Sequence, residues 1–176
     1  MDKLSLSQQY VVYVTRSNGR FPRLNEAETE VGMIHAALWD LQEAAAIDMT
    51  AGRVWVCNEP PEELLFLKRL VEDLSRRPIT VKQIIEAYVY SWSRKRVFGL
   101  WEDISESLVL AGAAEARIGG SWGRKVVYLP NPKDQKTLQE QIRRRMSGTE
   151  EMDGKSAALI EILNQSGNLE RCTERG

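Results

Sequence analysis

Residues 25–45, NEAETEVGMIHAALWDLQEAA, decide the fold class. Val31, Ile34, Leu38, Leu41 and Ala45 recur at steps of three and four, which lays one apolar stripe along an α-helix. Asn25, followed three residues later by Glu28, has the spacing of a capping box and marks where this helix starts. The segment reads as the longest helix of the chain and as a core element.

Working outward, the same logic yields further helices. Ser5-x-x-Gln8 is another capping box, and Leu6, Tyr10, Tyr13 and Val14 predict a first helix that stops before the Asn18-Gly19 turn. On the other side, Ile47–Met49 and Arg53–Cys57 are β-compatible runs around Thr50-Ala51-Gly52, a small hairpin. Pro61 suits the first turn of a helix carrying Leu64, Leu67, Leu70, Val71 and Leu74, and Arg76-Arg77-Pro78 stops it. Thr80-x-x-Gln83 opens a helix with Val81, Ile84, Ile85, Tyr88 and Val89 on one side. Val97, Leu100, Ile104, Leu108 and Ala111 predict another, running to about residue 114. Residues 115–130, EARIGGSWGRKVVYLP, set a Gly-rich tip between two β-branched or aromatic arms, a second hairpin. Helices are also expected over 134–146, with Leu138, Ile142 and Met146 inward, and over 154–165, capped by Asp153 and ended by Gly167. The fold class is therefore mainly α: a single domain over 1–176 with amphipathic helices around a central helix and two small β-hairpins.

A chain of 176 residues hides roughly 20,000 Å² of surface on folding, and 43% hydrophobic residues can fill that core. With 24 Lys+Arg against 25 Asp+Glu, a protein that grips nucleic acid or membrane by bulk positive charge is excluded, so any anion site is local. Two cysteines, Cys57 and Cys172, with no second thiol or histidine near either, exclude a disulfide scaffold and a zinc ribbon and suit a reducing compartment. The opening MDKLSLSQQY has no signal-peptide core, and no apolar run approaches the roughly 20 residues that span a bilayer. A cytoplasmic protein, peripheral on a membrane if it touches one at all, is the expectation.

No phosphate-loop, dinucleotide, zinc-protease or nucleophile-elbow motif occurs, and GGSWGRK fails the phosphate-loop spacing. Glu26, Glu28 and Glu30, like Glu59, Glu62 and Glu63, sit in helix first turns, where the dipole accounts for them. The single histidine, His35, lies one residue past the apolar stripe and reads as structural. No catalytic residue, cofactor or metal is expected.

The remaining signals are basic and aromatic. Trp122 stands among Gly119, Gly120 and Gly123 with Arg124 and Lys125 directly after, so a projecting tip would carry an amphipathic ring and two cations, the chemistry of a membrane interface. Arg94-Lys95-Arg96 lies at a helix start, where cations oppose the dipole, so a phosphate or an acidic neighbour such as Glu102 or Asp103 is expected beside it. Arg143-Arg144-Arg145 ends a helix and reads as a solvated face. Arg20 and Arg23 are loop cations for the same anion face as Arg94 and Arg96.

In this order, LSLSQQYVVYVTRSNGRF, GMIHAALWDLQEAAAIDM, GRVWV, DISESLVLAGAAEARIG, GRKVVYLPNP and MDGKSAALIEIL resemble the Golgi phosphoprotein 3 family over about residues 4–168. The resemblance implies a non-enzymatic, mainly helical peripheral membrane protein that binds phosphatidylinositol phosphate. It also implies that the 115–130 hairpin inserts into membrane and self-associates. The family's headgroup positions fall near Asn25 and Ile34 and at Glu102 and Ser105, none a cation, so an anion site here must use cations near those positions: Arg20, Arg23, Arg94 and Arg96. The expected partner is an anionic membrane surface bound mainly by electrostatics. Two other readings stand beside it. The order of the Thr80 helix, the Ile104 helix and the hairpin matches a winged-helix DNA binder in outline, although Glu102, Asp103 and Glu106 and the overall charge argue against nucleic acid. The other is an oligomeric scaffold module.

Overall fold

The first helix, α1 (Leu6–Val14), is buried along its whole length. The computed structural model describes residues 3–119 and 125–169, and within it four other helices pack against α1. A helix enclosed on every side must satisfy its polar side chains and both of its ends internally. Ser5 and Gln8 form the predicted capping box. Gln8 Nε2 donates to Ser107 Oγ at 2.9 Å, and Gln9 Nε2 to the Leu4 carbonyl at 3.1 Å. The buried Asp40 carboxylate accepts the N–H groups of Leu6 at 2.7 Å and Ser7 at 2.8 Å. At the other end Gln135 Nε2 donates to the carbonyls of Val12 at 2.9 Å and Thr15 at 2.8 Å.

The long helix α2 (Glu26–Glu43) crosses α1 at Gly32, where an added Cβ would lie 2.6 Å from Cζ of the fully buried Tyr10. Ile34, Leu38 and Leu41 of the predicted stripe are buried, but its ends differ. Val31 is half-buried, and α2 stops at Glu43, so Ala45 sits exposed in a turn at φ 54° while Ala46 takes the core position. Asn25 does not cap α2. Its Nδ2 donates instead to the Ser166 carbonyl at 2.6 Å, a partner far away in sequence.

The hairpin β1 (Ile47–Thr50) and β2 (Arg53–Val56) turns at Ala51-Gly52, both at positive φ, and gains a two-residue third strand, β3 (Ile79–Thr80), that periodicity did not predict. Where one helix was expected after Pro61, a 3-10 turn (Glu62–Leu67) leads into α3 (Lys68–Ser75); the same apolar set is buried. α4 (Val81–Tyr88) starts at the predicted Thr80/Gln83 box. α5 (Lys95–Leu110) ends sooner than expected, because Gly112 at φ 71° turns the chain into β4 (Ala114–Gly119), which pairs with β5 (Lys125–Pro130). α6 (Pro132–Met146) and α7 (Gly154–Gln165) follow, and Asp153 caps α7 through the Ser156 N–H at 2.7 Å. Met146 faces solvent rather than the core. Arg145 does not lie on a solvated face: it pairs with Glu150 at 3.1 Å and Asp153 at 3.4 Å and bonds Ser156, tying α6 to α7. The architecture is mainly α with two small antiparallel sheets, and no helix among the described residues is long and apolar enough to cross a membrane.

Candidate functional site

The loop between α1 and α2 folds on itself: Gly19 N–H donates to the Arg16 carbonyl at 2.8 Å and Arg16 N–H to the Arg20 carbonyl at 2.9 Å. Asn18 Oδ1 accepts the Arg20 N–H at 3.2 Å. Gly19 lies at φ 72° and presses on β5, where an added Cβ would stand 2.7 Å from the Tyr128 carbonyl oxygen. Only glycine meets both demands without strain. The loop thereby sets Phe21 edge-on to Trp101 of α5, centroids 6.2 Å apart, and Trp101 meets Tyr128 of β5 edge-on at 5.4 Å. Tyr128 closes the set by donating its hydroxyl proton to Glu106 at 3.2 Å. Burial first, and then that carboxylate, push its phenol up to about 12.

Phe21 and Trp101, with Val126 and Val127 of the hairpin, line a cleft of about 630 Å³. Its charged lining is mixed: Arg20 and Arg23 from the loop, Glu26 and Glu30 from α2, Glu102 from α5. Both arginines are exposed, and neither guanidinium has a carboxylate partner among the described residues. Glu30 is buried, which raises its carboxyl pKa against the opposing pull of Arg94. Arg94 is bound to Glu30, lies 3.5 Å from Glu26 and stacks over Phe98 at 5.2 Å.

The four cations expected on one anion face do not come together. Arg20 and Arg23 share the cleft, while Arg94 serves as counter-ion to its acidic wall. Arg96 lines a separate cleft of about 570 Å³, its Nε 3.3 Å from Asp73, whose carboxylate also accepts the Tyr88 hydroxyl proton at 3.0 Å. The unfavourable start of α5 is answered by Glu26, Glu30 and Asp73, not by Glu102 or Asp103. Asp103 pairs with Arg69 at 3.2 Å, and Glu102 stays exposed in the cleft.

Trp122 and Arg124 lie outside the described residues; Lys125 opens β5 opposite Gly119. One step from the tip, Ile118 and Val126 face each other across the strands and are 78% and 43% exposed. Leu24, beside Arg23, is 96% exposed. Sequence reasoning passed over all three, and over the aromatic floor. The period-2 arms held the Ile118 and Val126 signal, but only the register makes them partners. The half-buried His35 of α2 has its imidazole pKa lowered by burial, and no acidic or thiol cluster among the described residues could hold a metal ion. What the cleft offers is two unpaired guanidinium groups beside apolar side chains, a means of holding an anion at an apolar boundary. A family model described as Golgi phosphoprotein 3 matches residues 6–175. No curated protein matches the chain.

Proposed function

Because the chain belongs to the Golgi phosphoprotein 3 family, we propose that it is a non-enzymatic, cytoplasmic, peripheral membrane protein that docks its cleft face on anionic phospholipid. The observation that carries this reading is the pair of guanidinium groups of Arg20 and Arg23, without a carboxylate partner among the described residues, at a cleft lined by the exposed Val126, with exposed Leu24 next to Arg23 and exposed Ile118 paired with Val126. Cations near an anionic surface contribute about 1 kcal/mol each, and apolar side chains beside them enter the interface. In this reading Trp122, Arg124 and Lys125, which the sequence places next to these strand residues, take part in the contact, and self-association uses the exposed Ile118 and Val126.

Headgroup preference is small in this reading. A phosphate entering the cleft meets Glu102, and Glu26 and Glu30 already occupy Arg94, so binding rests on the two rim cations. Sedimentation with phosphatidylcholine vesicles, alone or with phosphatidylglycerol or phosphatidylinositol-4-phosphate at matched surface charge, tests it. Binding to both anionic mixtures alike, declining steeply with salt, is the expected outcome. No binding to either, or salt-insensitive selection of one headgroup, would contradict it.

A further inference from the structure

Between α4 and α5 the chain makes a tight turn whose corner residues are Trp92 and Ser93, closed by the Arg94 N–H donating to the Ser91 carbonyl at 3.2 Å. The Trp92 ring is fully exposed, and Tyr90 beside it is largely so. This exposure is held in place. Arg94, at the exit of the turn with φ 50°, is fastened to Glu30 and Glu26 of α2 and stacks on Phe98, so the turn is mounted on a partly buried ion pair.

A tryptophan kept wholly in water by a rigid mount calls for a partner, since large aromatic rings supply much of the energy of cores and interfaces. The surroundings say which. Leu24 stands two residues from Glu26, Phe98 lies under Arg94, and Lys95 follows on the exposed side of α5. Trp92 and Tyr90 next to the exposed Lys95 are the composition of a bilayer interface, where the rings lie at headgroup depth and a cation faces phosphates. Glu26, Glu30 and Phe98 also line the cleft that holds Arg20 and Arg23, which makes the turn continuous with the docking face.

We propose that the 90–95 turn, led by Trp92, is a second membrane-contacting element, separate from the 115–130 hairpin, that enters the headgroup region of an anionic bilayer. The inference rests on the docking reading above. Two attachment points on one rigid body restrict how the protein lies on the surface and raise its avidity without a deeper pocket.

The test uses the full chain with phosphatidylcholine vesicles containing phosphatidylglycerol. Trp92→Ala should weaken binding about tenfold, equivalent to about 1.4 kcal/mol, with an unchanged thermal midpoint because the ring packs on nothing. Trp92→Phe should restore part of the loss. A polarity-sensitive dye at Ser93→Cys, in a Cys57→Ser/Cys172→Ser background, should shift to the blue when vesicles are added. If the parent protein binds and neither the Trp92→Ala affinity nor the dye changes, the turn is not a membrane element, although the docking reading stands. If Trp92→Ala dissolves a dimer in sedimentation velocity and leaves vesicle binding intact, a second copy is the partner and the proposal is wrong. Failure of the parent protein to bind any anionic vesicle would remove both.

Discussion

Replacing Gly19 by alanine should loosen the hairpin from the rest of the fold. Two costs can be read from the structure. At φ 72° an L-residue gives up about 1–2 kcal/mol. The new methyl group would also sit 2.7 Å from the Tyr128 carbonyl oxygen and 3.3 Å from Leu129 Cδ2. A backbone oxygen in a paired strand cannot turn aside as a side-chain end can, so β5 must shift, an overpacking cost of about 1–3 kcal/mol. Together they predict a loss of about 2–5 kcal/mol, measured as the change in urea midpoint by circular dichroism at constant slope. The same shift parts Tyr128 from Trp101 and moves Arg20 off the cleft, so vesicle binding should fall even where the variant remains folded. A loss below about 1 kcal/mol would refute this reasoning and show that the loop is not clamped to the strand.

Two further outcomes follow from buried polar groups. Asp40→Ala leaves the N–H groups of Leu6 and Ser7 buried without an acceptor and should cost about 1.5–3 kcal/mol by chemical denaturation; a near-neutral result would mean that α1 does not depend on this cap. Burial holds the His35 imidazole below its ordinary 6.5, so the unfolded chain binds the proton first. Stability should therefore fall as pH drops below about 6.5 towards the lower folded value, and urea midpoints of wild type and His35→Gln should converge on acidification.

How far the sequence reveals this fold depends on how local each signal is. The Ser5/Gln8 and Thr80/Gln83 capping boxes, the Ala51-Gly52 turn and the Asp153 cap involve neighbours within a few residues, and the structure contains all of them. Asn25 had the same local signature, yet its amide is drawn to Ser166, an alternative that only the folded chain supplies. The burial of Ser7, Gln8 and Gln9 was equally hidden, since their satisfaction depends on Asp40, Ser107 and packing around α1. At the site, Arg94 and Arg96 look alike in sequence, yet two residues apart they turn to different partners, Glu30 and Asp73. Trp92 was passed over, although Tyr90-Ser91-Trp92-Ser93 before Arg94-Lys95-Arg96 repeats the aromatic-then-basic order of Trp122-Gly123-Arg124-Lys125. Because it lacks the flanking glycines, it reads as part of a helix connection.

If Arg20 and Arg23 hold the protein to anionic bilayers, vesicle affinity of Arg20→Gln/Arg23→Gln measured against wild type across ionic strength should reveal it. Both side chains are exposed and without a carboxylate partner among the described residues, so the thermal midpoint should not change. At about 1 kcal/mol for each cation, affinity should drop about 30-fold at low salt and the salt dependence should flatten. Wild-type affinity with the wild-type salt slope in the double variant would contradict the claim.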